Sequence, residues 1–206
     1  MKITNTGILL VFLFMNLLAA GQVPEPLLTS GQSSKGPEQG HTEFRGLPIP
    51  GPRTDEMLFD NGPLVNSPGS GQGGADESVV YDPLTLLAYP SSSPVRTADN
   101  FTVDAAGWQI DSVSFFDIIP NAPVFPSYFS GYFVRIWDGM PGQNGSHVIW
   151  GDRTTNRLVS STWSGIYRVG DENSGGTGLA IFRNTCSTSG LILGPGEYWI
   201  EAQALA

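Results

Sequence analysis

Short apolar runs, each ended by a turn signal, constrain the fold of this chain more than any other feature. Turn-forming groups such as Asn61-Gly62-Pro63, Asp138-Gly139 and Gly194-Pro195-Gly196 recur from residue 57 onward. They separate predicted strands at 57–60, 78–81, 100–103, 108–119, 129–137, 147–150, 157–161, 166–169, 179–183 and 198–202. No segment carries a long helical period. The pattern predicts an all-β protein, an antiparallel β-sandwich of jelly-roll type over residues 57–206.

Alternation within two runs predicts which side chains enter the core. In 132–137 the even-numbered residues Tyr132, Val134 and Ile136 share one face, and the odd-numbered residues share the other. In 108–119 the alternation of apolar residues shifts from even to odd positions between Ile110 and Val113. This change of phase predicts a bulge or a bend between sheets.

The first 21 residues predict export. Lys2 precedes an apolar run from Ile8 to Ala20, followed by Gly21, which is the pattern of a signal peptide over residues 1–21. The run falls short of the roughly 20 residues that cross a bilayer. Residues 22–56 are rich in Pro, Gly, Ser and Gln, and this composition predicts a disordered spacer. We therefore expect a secreted or cell-surface protein, with no membrane insertion after cleavage.

Charge and cysteine content exclude several classes of function. The net charge is −9, with ten Lys and Arg against nineteen Asp and Glu, so the chain is repelled by phosphate backbones and nucleic acid is not an expected partner. Cys186 is the single cysteine. Its thiol is expected to be a small buried group, with an intermolecular disulfide as the alternative.

Several phrases together resemble an uncharacterised β-sandwich domain of secreted and cell-surface bacterial proteins. These phrases are 58–63 (LFDNGP), 98–103 (ADNFTV), 107–111 (GWQID), 134–139 (VRIWDG) and 196–200 (GEYWI). The resemblance implies a module of a larger exported protein, and the shared phrases are aromatic and turn positions without a catalytic motif. Domains of this kind continue beyond the Tyr198-Trp199 strand, so the resemblance also implies a chain cut before its final strand.

Catalytic signatures are not expected in this sequence. The two histidines, His41 and His147, accompany no G-x-S-x-G elbow, and with two histidines and one cysteine a structural or catalytic zinc site is not expected. The G-x-G-x-x-G match at 69–74 precedes a β-type run and not a helix, which predicts a surface loop. Paired carboxylates for glycoside hydrolysis are the alternative that stays open. The candidates are Asp111, Asp117, Glu197 and Glu201.

The turn after residue 137 holds the candidate ligand-binding residues. Trp137 and Trp150 flank it, and Asp138 and Asn144 lie within it; flat aromatic faces can stack on sugar rings. Asp138, Asn144 and Asp152 are also candidate calcium ligands, since calcium prefers such oxygens. The alternative interpretation is a hairpin loop that needs no metal, and no other cofactor is expected.

The sequence thus predicts an exported, non-catalytic module that binds carbohydrate or another extracellular component, or acts as a structural spacer. The partners expected are carbohydrate or an extracellular protein. A secreted polysaccharide hydrolase is the alternative from a different class.

Overall fold

The computed structural model describes residues 5–11, 56–81 and 95–206, and within them the chain forms two β-sheets. The strands are β1 (Asn5–Val11), β2 (Glu56–Asp60), β3 (Asp76–Val80), β4 (Thr97–Val103), β5 (Trp108–Ile118), β6 (Gly131–Trp137), β7 (Val148–Gly151), β8 (Leu158–Gly170), β9 (Ala180–Leu193) and β10 (Gly196–Leu205). Short 3-10 turns lie at Gln72–Gly74 and Asp171–Asn173. Within the described ranges, no helix is long and apolar enough to cross a membrane.

One sheet has six strands in the order β2-β1-β5-β9-β8-β3, and the other has four in the order β4-β10-β6-β7. The chain passes between the sheets from β4 to β5, from β5 to β6, from β7 to β8 and from β9 to β10. Among the described strands, three pairs of sequence neighbours also pair in one sheet: β1–β2, β6–β7 and β8–β9. Sequence-distant strands therefore meet at the centre of each sheet.

A shared hydrophobic core joins the two sheets. Buried side chains from both sheets form one cluster, in which the Phe115 ring of β5 stacks on the Tyr132 ring of β6 with centroids 4.7 Å apart. The stacked pair Phe101 and Trp108, with centroids 6.1 Å apart, fills another part of the core. Such aromatic pairs bury large apolar areas with few residues, so the core does not depend on a disulfide. Cys186 is free and buried in this cluster.

The all-β prediction is confirmed, and several local predictions match. Tyr132, Val134 and Ile136 are buried in the core. The pairing of β5 with β9 shifts register between Ile110 and Ser112, at the position where the apolar phase changes. The segments 157–161 and 166–169 belong to one strand, β8, whose pairing with β9 shifts register between Trp163 and Ile166.

The prediction of a purely antiparallel sheet is wrong. β3 pairs with β8 in parallel, and β1 pairs in parallel with both β2 and β5. Parallel neighbours need connections of a dozen residues or more, and each of these pairs is separated by far more than that. Alternation within a strand reports burial and carries no information about the direction of the neighbouring strand.

The predicted signal peptide overlaps β1. Residues 5–11 form a strand between β2 and β5, so the beginning of the apolar run takes part in the six-stranded sheet. The rest of the predicted leader lies outside the described residues. The predicted spacer 22–56 also lies outside them, apart from Glu56, which begins β2.

Candidate functional site

The outer face of the four-stranded sheet carries two adjacent rows of functional side chains. Because even-numbered residues of β6 point into the core, Arg135 and Trp137 point outward. The pairing of β10 with β6 places Trp199 opposite Trp137 and Glu201 opposite Arg135. Two partly buried tryptophans therefore neighbour each other across the strands, directly beside an ion pair. We call these four residues the outer-face cluster.

Arginine and glutamate form the closest contact within the outer-face cluster. Arg135 donates from Nε to Glu201 Oε1 at 3.1 Å, and its Nη2 donates to both oxygens of that carboxylate. The Arg135 guanidinium also lies over the Trp137 ring, 4.6 Å from the centroid. The cation is thus held by a bidentate carboxylate contact and by an aromatic face.

Two further arginines approach the same carboxylate from flanking loops. Arg96, just before β4, places Nε 3.1 Å from Glu201 Oε1, and Arg153, just after β7, places Nε 4.0 Å from it. Three guanidinium groups therefore surround one carboxylate. Desolvation and then the like charges of Arg135 and Arg96 lower the pKa of Arg153. Together with Arg96 and Arg153, the outer-face cluster has a local surplus of positive charge in an otherwise acidic protein.

Local sequence after β7 explains how Arg153 reaches this position. Gly151 has φ +82°, and a Cβ there would lie 2.1 Å from the Val134 carbonyl oxygen, so only glycine fits. Asp152 Oδ1 then accepts hydrogen bonds from the backbone amides of Thr154 and Thr155 at 2.7 and 2.6 Å. These bonds lower the pKa of Asp152, that from the Thr155 amide most, and they fix the turn that carries Arg153.

Two of the three candidate calcium ligands, Asp138 and Asp152, are engaged in hydrogen bonds within their own turns. Asp138 Oδ1 accepts a hydrogen bond from the His147 amide at 2.6 Å, which closes the loop between β6 and β7. Asn144 is exposed in that loop, whereas both oxygens of Asp152 accept bonds from Thr154 and Thr155. Among the described residues, no three side chains of His, Cys, Asp or Glu gather into a metal-binding group. The geometry gives the calcium interpretation no support.

Trp137 and Trp150 flank the loop as expected but lie on different sides of the sheet. Trp150 pairs with Ile136, packs against the hydrophobic core and is covered by Arg157, whose guanidinium carbon is 4.1 Å from the ring centroid. Trp137 belongs to the outer face. The two rings therefore do not form one platform, and Trp199 is the aromatic partner of Trp137.

The carboxylates considered for hydrolysis are placed in unrelated surroundings. Asp117 is buried, where it accepts hydrogen bonds from Tyr132 Oη and Asn184 Nδ2, both at 2.8 Å. Burial raises the pKa of Asp117 to about 6, although both hydrogen bonds act in the opposite direction. Glu201 is held by arginines, and Glu197 is exposed and accepts a hydrogen bond from Asn100 Nδ2 at 3.2 Å. Asp111 is half-buried in β5.

Neither of two open cavities in the described part of the chain brings two carboxylates together. One, of about 310 Å³, lies between the 72–76 segment and Trp163, with Asp76 as its single carboxylate. The other, of about 490 Å³, lies between Asn121–Val124 and Tyr167 and has no carboxylate in its lining. A pair of convergent carboxylates, as glycoside hydrolysis needs, is not formed at either place.

No family model matches this chain, and no curated protein or solved structure matches it either. The class that the fold defines is an all-β protein of two sheets, and the site has to be interpreted from its own geometry.

Sequence reasoning missed Arg96, Arg135 and Arg153 as site residues. Arg135 was visible as an outward-facing position of a central strand, and Glu201 as an outward-facing position of the 198–202 strand. An outward-facing pair of opposite charges on two central strands was the available signal. It gave no indication that β6 and β10 are neighbours, because 58 residues separate the two strands in sequence.

Proposed function

We propose that this protein is an exported, non-catalytic β-sandwich module of jelly-roll type that binds carbohydrate through the outer face of its four-stranded sheet. The repeated passage of the chain between two sheets supports the jelly-roll assignment. The apolar run at the N-terminus supports export, and cleavage after it would remove β1 from its place between β2 and β5.

One observation carries the binding proposal: Trp137 and Trp199 are partly exposed cross-strand neighbours on the outer face of the four-stranded sheet, beside charged hydrogen-bonding groups. Aromatic faces supply apolar contact to the C–H faces of sugar rings, and guanidinium groups supply donors to sugar oxygens. Tryptophans on a sheet are otherwise expected to fill the core, as Trp108 does here.

Affinity electrophoresis of the protein against a panel of polysaccharides tests this proposal. We expect at least one glycan to retard the protein and Trp137→Ala to abolish that retardation. Tyr81→Ala is the matched control, because Tyr81 is an exposed aromatic residue that follows the edge strand β3 of the other sheet. If no glycan retards the folded protein, a structural or protein-binding role replaces this proposal. Release of new reducing ends from a retarding glycan would support the hydrolase alternative.

A further inference from the structure

Positive charge is distributed unevenly over the molecule. The described residues contain six arginines and no lysine: Arg96, Arg135, Arg153, Arg157, Arg168 and Arg183. Three of the six lie within 4.0 Å of the Glu201 carboxylate. The whole chain is acidic, with a net charge of −9. A cationic surface on an acidic protein does not follow from average composition and needs a local explanation.

The structural requirement of the Arg135–Glu201 pair does not account for the other two arginines. Glu201 is 7% exposed and Arg135 is 11% exposed, so each needs the other as a partner. That need is already met by the bidentate contact. Arg96 and Arg153 are 31% and 49% exposed, and an ion pair with so much solvent contributes little to folding.

The positions of Arg96 and Arg153 suit an anionic ligand. They lie on loops at opposite sides of the sheet, one before the edge strand β4 and one after the edge strand β7, and both reach the centre at Glu201. A planar guanidinium matches a carboxylate with two parallel hydrogen bonds. With one carboxylate among three cations, donors remain for a second anion.

We propose that the outer-face cluster, together with Arg96 and Arg153, binds carboxylated polysaccharide, a chain of uronic acid residues. This inference rests on the proposed carbohydrate-binding function. The tryptophan row contacts the sugar rings, and the two exposed arginines bind the carboxylates. A neutral sugar would use the tryptophans but would leave the positive surplus unmatched, whereas a polyanion without rings would use only the arginines.

Binding of polygalacturonate, its carboxyl-reduced neutral counterpart, dextran, dextran sulfate and polyglutamate should be compared by titration at low and at physiological salt. We expect polygalacturonate to bind at least about tenfold more tightly than its reduced form. Its affinity should fall as salt is raised. Arg153→Gln and Arg96→Gln should each weaken this binding and leave any binding of the reduced form unchanged. Arg183→Gln, which removes the same charge from the six-stranded sheet, is the control and should have a small effect.

Each failure has a separate meaning in this experiment. Equal binding of polygalacturonate and its reduced form would overturn the inference and leave the carbohydrate-binding function intact. Equal binding of polyglutamate and polygalacturonate would overturn it in favour of general polyanion capture, and a preference for dextran sulfate would assign the site to sulfate esters. If none of the five polymers binds, the proposed carbohydrate-binding function is contradicted, and this inference is contradicted with it.

Discussion

Two buried carboxylates, Glu201 and Asp117, are held in opposite ways. Glu201 lies on the outer side of the four-stranded sheet and contacts three guanidinium groups. Asp117 lies between the sheets and contacts only neutral donors, the Tyr132 hydroxyl and the Asn184 amide. Both side chains are less than a tenth exposed. They differ in whether a positive charge accompanies the buried carboxylate.

This difference separates a charged surface from a proton-binding core. A carboxylate surrounded by cations organises the guanidinium groups around it, which leaves donors for a ligand. A carboxylate that has only neutral donors remains costly to ionise, because two hydrogen bonds do not replace lost hydration. The outer site is therefore suited to recognition, whereas the inner one makes stability depend on pH.

Removal of the outer carboxylate has the largest expected effect. Glu201→Gln leaves Arg135 nearly buried without its ion-pair partner, and such a loss costs about 3 kcal/mol of unfolding free energy. Urea denaturation monitored by tryptophan fluorescence measures this loss of unfolding free energy. Glu197→Gln, an exposed position of the same strand β10, should change the free energy of unfolding by less than about 0.5 kcal/mol. Equal effects of the two variants would show that the guanidinium groups do not need Glu201.

The inner carboxylate should make the protein more stable at mildly acidic pH. The pKa of Asp117 is raised from 3.8 to about 6 in the folded state, so the folded state holds this proton more tightly than the unfolded state. The contribution is fully present below pH 3.8 and is lost as pH rises through 6. A shift of this size corresponds to about 3 kcal/mol between the two limits.

Comparison of unfolding free energies at pH 4.5 and pH 7 for the wild type and Asp117→Asn measures this contribution. The asparagine side chain keeps an oxygen for Tyr132 and Asn184 but does not titrate, so the wild-type gain at pH 4.5 should disappear. Asp111→Asn, in the same strand β5, should keep the gain in stability at pH 4.5. An identical pH profile for the wild type and Asp117→Asn would contradict the assignment.

The sequence predicted strands well and the chemical surroundings of their residues poorly. Alternation correctly assigned Tyr132, Val134 and Ile136 to the core, because burial imposes a period of two on each strand. Asp117 was a candidate carboxylate for hydrolysis, yet the change of phase in β5 brings it inward to Tyr132 and Asn184. Partners across strands are set by topology, and neither the β6–β10 pairing nor the parallel pairings could be derived from local patterns.

A smaller effect is expected when one donor to the inner carboxylate is removed. Tyr132→Phe keeps the ring that stacks on Phe115 but deletes the hydroxyl that donates to Asp117. We expect a loss of about 1–2 kcal/mol at pH 7 and a smaller loss at pH 4.5, where Asp117 is protonated in the folded state. Tyr198→Phe removes a hydroxyl that donates to the Gly194 carbonyl at 3.1 Å. The effect of Tyr198→Phe on the free energy of unfolding should be the same at both pH values, whereas the effect of Tyr132→Phe should be larger at pH 7 than at pH 4.5.

The smallest effect on stability is expected at the exposed rim of the outer site. Arg96→Gln removes a guanidinium group that is 31% exposed and leaves Glu201 bound by Arg135, so the free energy of unfolding should change by less than about 1 kcal/mol. The contrast with Glu201→Gln then separates the part of the cluster that the fold requires from the part that is available to a ligand. Thermal unfolding of both variants at the same salt concentration measures this contrast. A loss for Arg96→Gln as large as that for Glu201→Gln would place Arg96 in the structural pair and leave Arg153 as the ligand-facing cation.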